Sequence, residues 1–257
     1  MKKIFNIIFW LLVVIYLVFA MGFIGEKRSN IICHTIQVRV LDSIKNGFVD
    51  DNDILSLLTE KGYDLAGKAI EDINADNIET FIREQPFIKN SQVYKTVEGK
   101  LVIDIIQRNP IARIINRSND SYYIDEEGII IPTSGKYTSF VLIINGYINS
   151  RYNINYDILS QDRTDNIIYD IFSIASFINN NKFWKGQIEQ IYINREREFE
   201  LIPRVGAHVI LLGNSKNFEE KLMNLHALYL EGFKNKDWNN YKTINLKYAN
   251  QIICTKR

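Results

Sequence analysis

The chain has 257 residues, and its 31 Lys and Arg against 30 Asp and Glu leave a net charge of +1. Acid and base are interspersed, so there is no basic field of the kind that holds nucleic acid. Basic runs such as Lys182 to Lys185 or Lys234 to Lys236 are short and interrupted and read as solvated surface.

Ile4 to Ile24, IFNIIFWLLVVIYLVFAMGFI, carries no charge. A helix of that length reaches ~31 Å, about the thickness of a bilayer's hydrocarbon core. Backbone polar groups find no water in lipid, so a single span has to be helical. The reading is a short cytoplasmic tail (1–3), a transmembrane helix (4–24) and an exported remainder. Lys2 and Lys3 before the span are balanced by Lys27 and Arg28 after it, so charge sets the orientation only weakly. A cleavable signal peptide is the competing reading, from Ala20-Met21-Gly22, but the apolar run continues through Phe23 and Ile24. Asn30 to Cys33 lacks the small residues of a lipoprotein site. The exported remainder is long enough for two small domains or one large one. Cys33 and Cys254 stand at its two ends, and a disulfide needs Cβ atoms within ~4.5 Å. Two domains in series would keep them apart, so both are expected as unpaired thiols.

His34 to Leu41 alternates, with Ile36, Val38 and Val40 on one face of a strand. Asp50 to Asp53 offer N-caps for a helix whose Ile54, Leu57 and Leu58 fall at i, i+3 and i+4, and Gly62 stops it. A second helix near Ala75 turns Ile78, Phe81 and Ile82 to one side and ends before Pro86. Ser91 to Val97 and Lys100 to Gln107 are strands, expected to join through a two-residue Glu98-Gly99 turn. The order is β-α-α-β-β.

The segment QPFIKNSQVYKTVEGKLVIDIIQRNPIARI, with Pro86-Phe87-Ile88 and Arg108-Asn109-Pro110-Ile111-Ala112, resembles the POTRA domain of FtsQ/DivIB cell-division proteins. Gln107 stands where the family pattern more often has an acidic residue, and Asn109 is also unusual. Tyr122 to Ile129, YYIDEEGI, looks like the family's "Y.ID..G." hairpin. Asp125 and Glu126 there suit a turn better than a catalytic pair.

Helical spacing follows from Asp165 to Asn179, then an alternating strand from Gln187 to Asn194. A hairpin over Phe199 to Leu212 turns near Val205-Gly206-Ala207. A helix runs from Asn217 to Phe233 with Asn217 and Glu220 as a capping-box-like pair. Gly213 before it reads as a strand-to-helix connection rather than a phosphate cradle. The close, Thr243 to Lys256, reads as one strand with Ile244, Leu246 and Tyr248 on one side. This last block resembles the C-terminal β-domain of FtsQ.

The fold expected is therefore α+β: a single N-terminal transmembrane helix, a POTRA-like βααββ domain (31–109), and a mixed β-domain with packed helices (110–257). No CxxC, HExxH, GxSxG or glycine-rich nucleotide loop occurs. His34, His208 and His226 lack a nucleophile context, so no catalytic residue, metal, cofactor or small-molecule substrate is assigned. A long terminal strand at a sheet edge is instead a place for another chain's strand. The resemblance implies a non-enzymatic, bitopic inner-membrane scaffold enriched at the division septum, binding FtsB/FtsL-like bitopic proteins at its last strand. It implies Tyr248 as the leading contact, with Ile244, Leu246 and Asn250 as neighbours. For Ile244 and Leu246, filling the sheet's own core is an equally good reading. The alternatives are a POTRA-bearing export or assembly factor, which no barrel-like run of strands supports, and a membrane-anchored cell-wall hydrolase, which a digestion assay would reveal.

Overall fold

A computed structural model describes residues 9–19, 31–42, 46–149, 153, 156–160, 166–233, 238–249 and 251–257. The chain divides into two compact units, Met1–Gln107 and Arg108–Arg257. Much of the stretch from Ile4 to Ile24 lies outside the described residues. Its described part is a helix, α1 (residues 9–19), with Phe9, Trp10, Leu12, Tyr16 and Phe19 all exposed. Among the described residues no helix is long and apolar enough to cross a membrane.

The rest of the first unit is a three-stranded sheet carrying two helices. Its elements are β1 (Thr35–Val40), α2 (Asp51–Glu60), a 3-10 turn (Ile70–Asp72), α3 (Ala75–Arg83), β2 (Ile88–Lys95) and β3 (Lys100–Gln107). The strand order is β1-β3-β2, with β1 parallel and β2 antiparallel to β3. Asp50 and Asp53 form a reciprocal capping box that satisfies two otherwise orphan amides at the start of α2. Asn74 caps α3 by accepting from the Asn77 amide. Ile54 and Leu58 of α2 and Ile78 and Ile82 of α3 pack on Ile103 and Ile105 of β3. Each such burial is worth ~1.5–3 kcal/mol. On the opposite face, Arg39 of β1 meets both carboxylate oxygens of Asp104 on β3 and donates to the Tyr94 hydroxyl on β2 at 2.6 Å.

The β2–β3 connection differs from the two-residue turn expected. The Thr96 amide donates to Lys100 O and the Gly99 amide to Thr96 O, which makes a three-residue loop, Val97-Glu98-Gly99. Gly99 has φ +80°, and a Cβ there would sit 2.6 Å from Ile32 O. Gln107 closes the sheet: its Oε1 accepts from the Val49 amide and its Nε2 donates to Asn46 O.

The second unit is a nine-stranded sheet in the order β12-β11-β10-β9-β8-β7-β4-β5-β6. In chain order these are β4 (Pro110–Ile115), β5 (Ser121–Asp125), β6 (Ile130–Pro132), β7 (Leu142–Gly146), β8 (Ile188–Ile193), β9 (Phe199–Pro203), β10 (Val209–Gly213), β11 (Tyr241–Asn245) and β12 (Ile253–Lys256). Helices α4 (Ile167–Asn180) and α5 (Lys182–Gln187) lead from β7 to the parallel β8. Helix α6 (Phe218–Ala227), prolonged by a π turn at Leu228–Gly232, leads from β10 to the parallel β11. Ile171, Ile174 and Ile178 of α4 and Leu222 and Leu225 of α6 share one core with Ile144, Ile191, Leu201 and Ile210 of the sheet.

Two expectations are corrected here. Asn217 lies at φ +51° and its side chain makes no cap bond, so the capping box at α6 does not form. Thr243 to Lys256 is not one strand. The Asn245 side chain accepts from the Lys247 amide, which turns the chain, and Ile253–Lys256 returns as β12, antiparallel to β11.

Candidate docking edge

The two borders of the nine-stranded sheet differ. At one, β6 is three residues long and ends in Pro132, and the Ile130 amide donates outward to Tyr156 O. That rim is closed by the chain itself. At the other, among the described residues, β12 pairs only with β11. The Arg257 amide donates inward to Asn240 O, so ladder alternation turns the amides of Cys254 and Lys256 outward. Ile253, Thr255 and Lys256 are exposed.

Beside this rim α6 and residues just after β11 and just before β12 line a cavity of ≈ 520 Å³, with Asn217, Lys221 and Asn224 on one side and Lys247, Tyr248 and Ile252 on the other. Its walls are well anchored. Lys221 Nζ donates to Leu212 O at 3.0 Å and to Asn214 O at 3.1 Å, and burial lowers the pKa of this ammonium. Lys247 pairs with Glu198, whose carboxyl is held below its ordinary range by that bond. Gly213 ends β10 against the Lys247 side chain, the strand-to-helix connection expected of it.

The site residues read from the sequence are sorted by this turn. Ile244, in β11, and Leu246, whose amide donates to Leu211 O, are 0% and 2% exposed and belong to the core. Tyr248 is 55% exposed, on the cavity wall. Asn250 lies outside the described residues.

Two matches to protein-family models bear on this arrangement. Residues 31–106 match a POTRA-like domain, and residues 109–255 match the model described as FtsQ/DivIB, C-terminal related. The chain belongs to the FtsQ/DivIB family. The curated proteins hold no match to it. Domains of the FtsQ/DivIB and POTRA-like kinds are as a rule scaffolds rather than enzymes, and the family places the chain with the proteins of cell division.

The residues that carried the FtsQ/DivIB resemblance meet in space. Arg108 Nη1 donates to Asp125 Oδ2 at 2.8 Å, and Asp125 Oδ1 accepts from the amides of Glu127 and Ile129. Burial raises the Asp125 carboxyl against the pull of Arg108 and the two amides. Asn109 Nδ2 donates to Glu126 at 2.9 Å, so one of the two residues that depart from the family pattern fastens the same turn. These carboxylates organise a hairpin.

The three histidines have different surroundings. His34 is exposed, and His226 lies edge-on to Phe183 at 4.3 Å. His208 is buried beneath Tyr229, whose hydroxyl lies 2.8 Å from Nε2, and Tyr229 stacks on Trp238. Burial lowers the His208 pKa. Cys33 and Cys254 are free thiols, and burial raises the Cys254 pKa. Among the described residues no group of three His, Cys, Asp or Glu could hold a metal ion.

Proposed function

We propose that the chain is a bitopic inner-membrane scaffold of the bacterial division complex, without catalytic activity, that accepts a strand from a partner on the free edge of β12. The observation that carries this reading is the outward-facing backbone of β12 beside a roomy cavity walled by Tyr248. In strand addition the backbone supplies affinity and pockets for alternate side chains supply selectivity. The partner class is the FtsB/FtsL-type bitopic proteins, matched to the family and to the edge. Residues 4–24 hold the chain in the membrane with its bulk outside the cytoplasm. The exposed apolar surface of α1 supports that placement. Ile244 and Leu246 act from beneath, by fixing β11 and the residues just after it.

Co-purification of the full-length chain with an FtsB/FtsL-type partner tests this reading. Tyr248→Glu is expected to abolish the complex at normal protein levels, because it puts a charge where an aromatic wall faces the incoming chain. An intact complex in that variant removes Tyr248 from the site. A fluorescent fusion is expected to form a mid-cell ring, and a uniform envelope signal would contradict the divisional role.

A further inference from the structure

At one end of the second unit, three neighbouring parallel strands each deliver one exposed or half-exposed side chain to the same place. The order there is β8-β7-β4, all parallel, with Ile115, Asn145 and Tyr192 in register. Just past these carboxyl ends stand Arg117, Tyr147 and Arg195. The region outside the carboxyl ends of parallel strands is where open α/β sheets place their ligands.

The cluster is built rather than incidental. Gly146 has φ +112°, and a Cβ there would come within 2.2 Å of Ile193 O, so only glycine lets β7 pass this close to β8. The Tyr147 amide then donates to Ile193 O, and the Arg117 amide to Ile148 O. Arg195 Nε donates to the Tyr147 hydroxyl at 2.5 Å. The Arg117 and Arg195 guanidinium carbons lie 5.3 and 5.4 Å from the centre of the Tyr147 ring. Two cations are thus held roughly a Debye length apart or closer (~10 Å at 0.1 M salt). No carboxylate of the described residues makes a salt bridge with either, although Glu196, next to Arg195 in the turn, adds some field.

We propose that Arg117, Tyr147 and Arg195 form a docking point for a carboxylate-bearing segment, rich in Asp or Glu with apolar neighbours, of a protein partner. The guanidinium fork matches a planar carboxylate. The Tyr147 ring offers a flat face to an adjoining aliphatic side chain. The same fork can hold phosphate, but a phosphate site gains most where free backbone amides add to it. Here the turn amides are spent: those of Ser118 and Asp120 donate to Asn116 Oδ1, and those of Glu196 and Glu198 to Asn194 Oδ1. The nearby Asp120 and Glu196 also repel a dianion more than a monoanion. The three strands of this docking point lie four to six places along the sheet from β12, and its residues are distinct from those of strand addition.

The test uses the full-length chain in detergent and a fluorescent peptide of alternating Glu and Leu, read by anisotropy. Binding is expected to weaken as salt rises, and ~tenfold for each guanidinium removed in Arg117→Gln and Arg195→Gln. Tyr147→Phe keeps the ring and frees Arg195, and should cost a few-fold. Charge reversal at both arginines should shift preference to a Lys-Leu peptide. Lys256→Pro, which targets β12, should leave this binding unchanged. No binding by the native chain at millimolar peptide, or unaltered binding in the double Gln variant, overturns the proposal. So does equal competition by inorganic phosphate, or capture by anionic vesicles in place of the peptide.

Discussion

Proline at two adjacent positions of β12 separates the outer side of that strand from the inner. The amide of Lys256 points away from β11, so Lys256→Pro removes one outward donor and places a ring on the rim, while the ladder to β11 keeps its bonds. A net hydrogen bond of ~0.5–1.5 kcal/mol is lost from any added strand, which converts to a roughly two- to tenfold weaker complex before the ring's steric effect is counted. The β-domain's unfolding midpoint should stay put. Thr255→Pro does the reverse. Thr255 faces Thr243 in the ladder, so the fold loses an inward bond and ~1 kcal/mol or more. Titrating a partner's extracytoplasmic segment, with thermal unfolding of each variant in parallel, reads both quantities. Tight binding by Lys256→Pro together with an unchanged midpoint would mean that partners do not add to β12, and the docking argument would fail.

Asp125→Ala leaves Arg108, 15% exposed, with only its 3.4 Å contact to the exposed Glu127, and strands two amides, so it should destabilise the second unit by ~2–4 kcal/mol, measured by urea unfolding. A loss under ~1 kcal/mol would show the ion pair to be ornamental. Burial lowers the His208 pKa, so the unfolded chain takes up a proton more readily than the folded one as pH falls below about 6.5. This group's contribution is intact above that value and is lost downward to its lowered folded pKa. The native melting temperature should drop between pH 7 and 5 more than that of His208→Gln, and equal slopes would contradict the assignment. Gly99→Ala meets both a left-handed backbone and the Ile32 carbonyl, and should cost the POTRA-like unit ~2–4 kcal/mol by thermal melting.

Local signals were the legible ones. Asp50, Ile54 and Leu58 announce α2 because a cap and a 3.6-residue stripe are written within a few positions. The stripe of α4 is equally plain. The end of β11 was hidden because Ile244, Leu246 and Tyr248 alternate through it. Leu246 still bonds to Leu211, and only the Asn245 side chain, by capturing the Lys247 amide, breaks the run. Asn217 and Glu220 have capping-box spacing, but the left-handed backbone at Asn217 takes its oxygen out of reach. The Arg108–Asp125 pair, the His208–Tyr229 bond and the Arg117–Tyr147–Arg195 cluster join residues 17 to 78 positions apart in the chain, where no periodic pattern reaches.

The POTRA-like unit treats one of its own margins differently. The Glu79 carboxylate accepts from the Val93 amide on the outer side of β2, and Arg83, ion-paired with Glu79, reaches Ser91 O. Helix α3 thus stoppers that seam with a carboxylate and a guanidinium at the positions a stray strand would need. A refolding chain that completes this unit early gains a sheet with that flank already sealed, while the larger sheet is still gathering its nine members. Mispairing between copies is thereby discouraged at β2 from the outset.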